Sequence, residues 1–80
     1  MDFTLIEKVE QNGICYKFLR ATFYKGYYAI IAQSKKEFFC SSFHSCNLEA
    51  AKDFFREISN SDTEIYTLRD IIFDFEKQRI

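Results

Sequence analysis

Residues 3–10, FTLIEKVE, alternate: Phe3, Leu5 and Val9 fall on one side of an extended chain, with Thr4, Lys8 and Glu10 on the other. That is the pattern of a half-buried strand. The Asn12–Gly13 pair that follows favours positive φ and signals a hairpin turn. Residues 14–24, ICYKFLRATFY, predict a long second strand, closed by a turn at Lys25–Gly26. Residues 27–34, YYAIIAQS, are apolar at both parities, as expected of a central strand. Lys35–Lys36 then turn the chain into a fourth strand over 37–43, EFFCSSF. The connections are short, so consecutive strands are expected to pair antiparallel as a meander.

The period then changes from two to 3.6. Asn47 is a suitable N-cap for LEAAKDFFREIS, residues 48–59. Leu48, Ala51, Phe55 and Ile58 share one face, and Glu49 and Asp53 lie toward the positive end of the helix. Residues 60–62 end this helix, and TEIY, 63–66, reads as an extended link. Thr67 is placed to cap a second helix, LRDIIFDFEKQRI, whose Leu68, Ile71, Ile72 and Phe75 recur as an amphipathic stripe. The predicted fold is α+β: a four-stranded antiparallel meander followed by two C-terminal helices packed on one face (ββββαα), a single domain over residues 1–80.

This arrangement has a surplus of apolar positions. Tyr16, Phe18, Tyr24, Tyr28, Ile30, Phe38 and Cys40 cannot all share a side with Leu19, Phe23, Ile31, Phe39 and Phe43. Either a bulge in the second strand redistributes its side chains, or an uncovered face or edge strand pairs with another chain. Composition sharpens the question. Ten Phe and five Tyr make up 19% of the chain, whereas a domain of this size buries only roughly 60–65% of its unfolded surface. Some rings are therefore expected outside, where a contiguous patch marks a partner site.

Small domains use disulfides, metals or oligomerisation as staples. Three cysteines, and no apolar stretch in MDFTLIEKVE, point to a reducing cytoplasm rather than a disulfide framework. Oligomerisation is the staple expected here. A net charge of −1, from 11 basic and 12 acidic residues, argues against nucleic acid, and no apolar run is long enough to span a membrane.

Chemistry-bearing residues concentrate in FFCSSFHSCNLEAA, residues 38–51. Cys40, His44 and Cys46 give C-x3-H-x-C, three ligands where structural zinc uses four. Cys15 would have to supply the last from another strand, so no metal and no cofactor is expected. Cys46, just before a helix start, has the setting of an activated or redox-active thiol. No oxyanion hole accompanies it, and the simpler reading makes Cys40 a small apolar strand residue and Ser45 or Asn47 the helix cap. Two glycines in separate turns exclude phosphate-binding loops. Phe73 lies off the apolar stripe of the last helix, beside Arg69, Asp70 and Lys77, as an interface anchor would.

AAKDFFREISNSDTEIYTLRDIIFDF, residues 50–75, resembles a domain-of-unknown-function family of small firmicute proteins with a closing helix h-L-x-D-h-h-x-D-F. Leu68, Asp70, Ile71, Ile72, Asp74 and Phe75 occupy that motif. VEQNGICYKF, residues 9–18, is similar to the family's strand, Asn-Gly or Asp-Gly turn and Tyr-containing strand. The likeness runs over about residues 5 to 76. At 44–47 this chain has HSCN where the family has an acidic or threonine-containing cap, so the resemblance assigns no role to His44 or Cys46. It implies a small cytoplasmic bacterial ββββαα protein and carries no activity.

The sequence therefore leads to a non-enzymatic interaction module, an adaptor or inhibitor expected to act as a homodimer. In a mobile-element setting, inhibition of host-defence machinery would suit a chain of this size. The expected contact residues are Tyr16, Phe18, Tyr28 and Phe38 on the sheet and Arg69, Phe73 and Lys77 on the last helix. The alternative is a nucleotide-like small ligand held between subunits, its base stacked on Tyr rings and its phosphate on Lys17, Arg20 or Lys25. A Cys–His enzyme or redox switch is the third reading.

Overall fold

The computed structural model describes residues 2–45, 47–60 and 64–77. Four strands, β1 (Phe3–Gln11), β2 (Ile14–Ala21), β3 (Tyr27–Gln33) and β4 (Phe38–His44), form one antiparallel sheet in the order β1-β2-β3-β4. Helix α1 (Leu48–Ser59), a 3-10 turn (Ile65–Thr67) and helix α2 (Leu68–Lys77) follow. The ββββαα meander expected from the sequence is the fold. No helix among the described residues is long and apolar enough to cross a membrane.

Turn chemistry sets the register. Asn12 and Gly13 both hold positive φ, 55° and 78°, the two-residue turn whose twist matches the flanking strands. It pairs Gln11 with Ile14. Gly26, at φ 82°, ends the β2–β3 connection, and a Cβ there would stand 3.1 Å from the Ser45 carbonyl oxygen. The Gly26 carbonyl in turn accepts from the Ser45 N–H at 2.9 Å. Glycine thus serves both the backbone geometry and the close approach of the β4–α1 junction.

Two expectations about the strands are corrected. The bulge lies in β1, not β2: Leu5 pairs with Leu19 but Glu7 pairs with Phe18, leaving Ile6 as the extra residue. Phe3 and Leu5 therefore share the face of Leu19, whereas Val9, opposite Tyr16, faces the other way. Strand β2 also stops at Ala21, so Phe23 and Tyr24 belong to the turn rather than to a strand.

The core lies between the helices and one sheet face. Tyr28 pairs with Phe43, Ile30 with Phe18, and Ala32 with Tyr16 and Phe39, which puts all of these on that face. Phe18 is fully buried and stacks on Tyr28 (5.6 Å) and Phe55 (5.3 Å). A second ring group joins Phe43, Phe54 and Phe75, with Phe54 and Phe75 stacked at 4.0 Å. Such contacts contribute about 0.5–1.5 kcal/mol per pair beyond area burial.

The helix ends show one agreement and one difference. The Asn47 Oδ1 accepts from the Ala50 N–H at 2.7 Å and caps α1. Thr67 does not cap α2. It closes the 3-10 turn, its hydroxyl donating to the Glu64 carbonyl at 2.7 Å. The tight turn satisfies backbone groups that an extended link would have left to the cap. Thr63 and residues 78–80, expected in the link and in the last helix, lie outside the described residues.

Candidate interaction surface

The helices cover one face of the sheet; the other carries four rows of side chains set by the pairing. Phe3 faces Ala21, and Tyr27 faces His44. Leu5, Leu19, Ala29 and Ser42 form the next row. Lys8, Lys17, Ile31 and Cys40 form the third, and Glu10, Cys15, Gln33 and Phe38 the last. Polarity therefore runs along the strands. The end near the β2–β3 turn is apolar and aromatic, and charge enters only in the last two rows on the β1–β2 side.

The turn residues extend the apolar end. Phe23 packs edge-on against Phe3 at 5.8 Å and against Tyr27 at 6.3 Å. Tyr24 approaches Tyr27 and His44, at 6.1 and 5.8 Å. Beneath these rings Ala21 and Ala29 are buried, while Leu5, Phe23 and Tyr24 remain at least half exposed. Exposed aromatics resting on other rings present a pre-ordered surface, which loses little side-chain entropy when a partner covers it.

His44 is held at the corner of this surface. Its ring lies 4.7 Å from that of Tyr27, and its Nδ1 is 3.0 Å from Glu76 Oε2. The same carboxylate oxygen accepts the His44 backbone N–H at 2.9 Å. The imidazole is thus tied to α2. Cys40 sits four residues back on the same strand, about 13 Å away at strand rise. Cys46 lies outside the described residues.

The expected sheet contacts divide. Tyr16, Phe18 and Tyr28 are buried beneath the helices and cannot form a surface platform. The correction follows from register: the residues of β2 and β3 chosen by parity are those that face the core, and β4 pairs so that Phe39 and Phe43, not Phe38, join them. Phe38 is exposed on the open face. The contribution of Phe3 and Leu5 to this surface was obscured in the sequence by the bulge at Ile6. The one available signal was the excess of apolar residues at both parities.

Arg69, Phe73 and Lys77 follow one another at i, i+4 and i+8 along one exposed side of α2. Arg69 also lines a groove with Phe38, Phe39, Ile65, Tyr66 and Asp70. Of the candidate ligand cations, Arg20 and Lys25 reach one shallow cleft with Phe23, Tyr24 and Asn47. Lys17 stands apart on the open face, opposite Lys8 and Ile31.

No family model matches the chain, and neither the curated proteins nor the solved structures give a match.

Proposed function

We propose that this chain is a small non-enzymatic protein-interaction module, an adaptor or inhibitor, whose binding surface is the open face of the sheet. One observation carries the reading: the sheet is apolar on both faces and the helices cover one. Leu5, Leu19, Phe23, Tyr24, Tyr27 and Ile31 make a contiguous apolar field on the other. Monomeric soluble domains seldom leave such a field uncovered without a use for it. Exposed aromatics over buried alanines supply the anchors that interfaces favour. The charged row of Lys8 and Lys17 forms its polar border.

The test is a footprint on the complex formed with a partner purified by affinity. Hydroxyl-radical labelling of Leu5, Phe23 and Tyr24 should fall severalfold on binding, and Leu5→Glu should weaken binding at least tenfold. Unchanged labelling of these three side chains in a complex of full affinity would remove the reading.

A second reading has its own observation. Arg20 and Lys25 meet Phe23 and Tyr24 at one cleft beside the start of α1, a set that could hold the phosphate and ring of a nucleotide-like ligand. Protein purified without denaturation would then carry excess absorbance at 260 nm, lost in Arg20→Ala. Absorbance fully accounted for by the tyrosines and phenylalanines would dismiss it.

A further inference from the structure

The two edges of the sheet are unlike. Edge strand β1 is broken by the bulge and carries Glu7, Lys8 and Glu10, the features that discourage strands from joining. Edge strand β4, FFCSSFH, has no bulge, no proline and no Asp, Glu, Lys or Arg.

Its hydrogen-bonding direction is fixed by its two ends. The Ser45 N–H donates to Gly26 and the Ser34 N–H to the Glu37 carbonyl, so odd-numbered residues turn their peptide groups toward β3. Even-numbered residues turn theirs outward. The His44 N–H, on the outward side, is occupied by the Glu76 carboxylate. That leaves Phe38, Cys40 and Ser42 presenting an N–H and a carbonyl each along the edge.

Helix α2 runs beside this edge in the same direction. Its first turn lines the groove at Phe38 and Phe39, and Glu76 in its last turn reaches His44. Arg69 and Glu76 are seven residues apart, so they lie within about 20° on the helix surface, on its edge-ward side. Phe73 lies about 40° further round from Arg69. Phe38, Tyr66 and Phe73 are 64%, 69% and 63% exposed; Phe38 and Tyr66 line the groove at this edge, and helical spacing from Arg69 sets Phe73 on the neighbouring side of α2.

We propose that β4 and the neighbouring side of α2 form a self-complementary surface that pairs two copies of the chain, β4 antiparallel to β4 about a two-fold axis at Cys40. Of the partners a protein can supply, an extended strand matches alternating outward N–H and carbonyl groups. Among the two-fold registers, the one centred on Cys40 alone uses all three open residues. Phe38 meets Ser42 of the second copy, Cys40 meets Cys40, and Ser42 meets Phe38. Centres at Phe39 or Ser41 leave one of the three against the turn or against the occupied His44.

The same axis runs the two α2 helices antiparallel. Arg69 is carried toward Glu76 of the second copy, and the exposed Phe73 rings approach one another near the axis. Charge, hydrophobic surface and peptide groups therefore point to the same occupant. The result is a continuous eight-stranded sheet, with the open face of each copy left free on one side. The inference does not depend on that face binding anything.

The experiment is light scattering on the intact chain over 1–100 µM, with bismaleimide cross-linking at Cys40 in a Cys15→Ser, Cys46→Ser background. A dimer cross-linked through Cys40 is expected. Cys40→Pro removes an outward N–H at the centre while sparing the β3 ladder. It should raise the dimer dissociation constant at least tenfold with an unchanged far-ultraviolet spectrum. Should that variant fail to fold, Phe73→Asp, at an exposed position, must show the same weakening. A monomer at 100 µM, a folded Cys40→Pro or Phe73→Asp variant that dimerises normally, or a dimer with no Cys40 cross-link would each overturn the proposal. Leu5→Glu should leave the dimer unchanged, which separates this result from the open-face reading.

Discussion

Phe18 is the residue on which the core turns. It is fully buried and stacks on Tyr28 from the sheet and Phe55 from α1. Truncation to Ala would leave a cavity between the two layers, at a cost of about 3–5 kcal/mol. Typical total stability is about 5–15 kcal/mol, so the loss is a large share of it, and Phe18→Ala should unfold at a markedly lower denaturant concentration than the parent in a urea titration. Phe23→Ser, by contrast, removes an equally large ring from a position more than half exposed, and the midpoint should move little. If the two variants melted alike, the assignment of faces would be wrong. Gly26 gives a third residue-scale case. Gly26→Ala combines positive φ with a 3.1 Å approach to the Ser45 carbonyl, and about 1–3 kcal/mol of strain should appear as a lowered melting temperature. Both glycine turns were legible as turns from the sequence alone. That Phe18 faces the helices was not, because neighbours of both parities are apolar and alternation gives no sign of which side is covered.

Elements came through where a local cause fixed them. The Asn12–Gly13 hairpin and the Asn47 cap each depend on one or two residues acting on their own backbone, and both were readable. The β1 bulge depends on a mismatch between two strands, which Ile6 does not announce. It alone moves Phe3 and Leu5 to the open face. The end of β2 at Ala21 likewise depends on rings packing across a turn rather than on propensity. The cap is testable at this scale: Asn47→Ala should cost about 1 kcal/mol by leaving the Ala50 N–H without its acceptor. So is the tie between α2 and β4. Glu76→Ala should free the His44 amide, which hydrogen exchange would register as lost protection at that residue with little change at Phe43. Equal protection in parent and variant would mean the carboxylate is not what shields that N–H.

The whole molecule is a two-layer fold in which three-dimensional economy is incomplete: two helices cover one side of a four-stranded sheet whose other side is also apolar. The surplus of rings was evident from composition, and it raised an uncovered face as one of two explanations; of the rings assigned to that face, Phe38 lies on it, whereas Tyr16, Phe18 and Tyr28 are buried under the helices. Stability should therefore be nearly independent of the open face. Leu5→Glu combined with Ile31→Glu places two charges there, and register sets the second opposite Lys17, where a cross-strand pair contributes about 0.2–1 kcal/mol. The doubly substituted chain should melt within a few degrees of the parent. Its binding of the hydrophobic dye ANS should fall severalfold, since the dye reports exposed apolar surface and the core is untouched. If melting instead dropped by tens of degrees, the open face would be part of what holds the fold together. If ANS binding did not change, the dye's site would have to lie elsewhere, with the groove at Phe38, Tyr66 and Arg69 the next to substitute. A cooperative melt with reduced dye binding would separate the half of the molecule that maintains the fold from the half left open for contact.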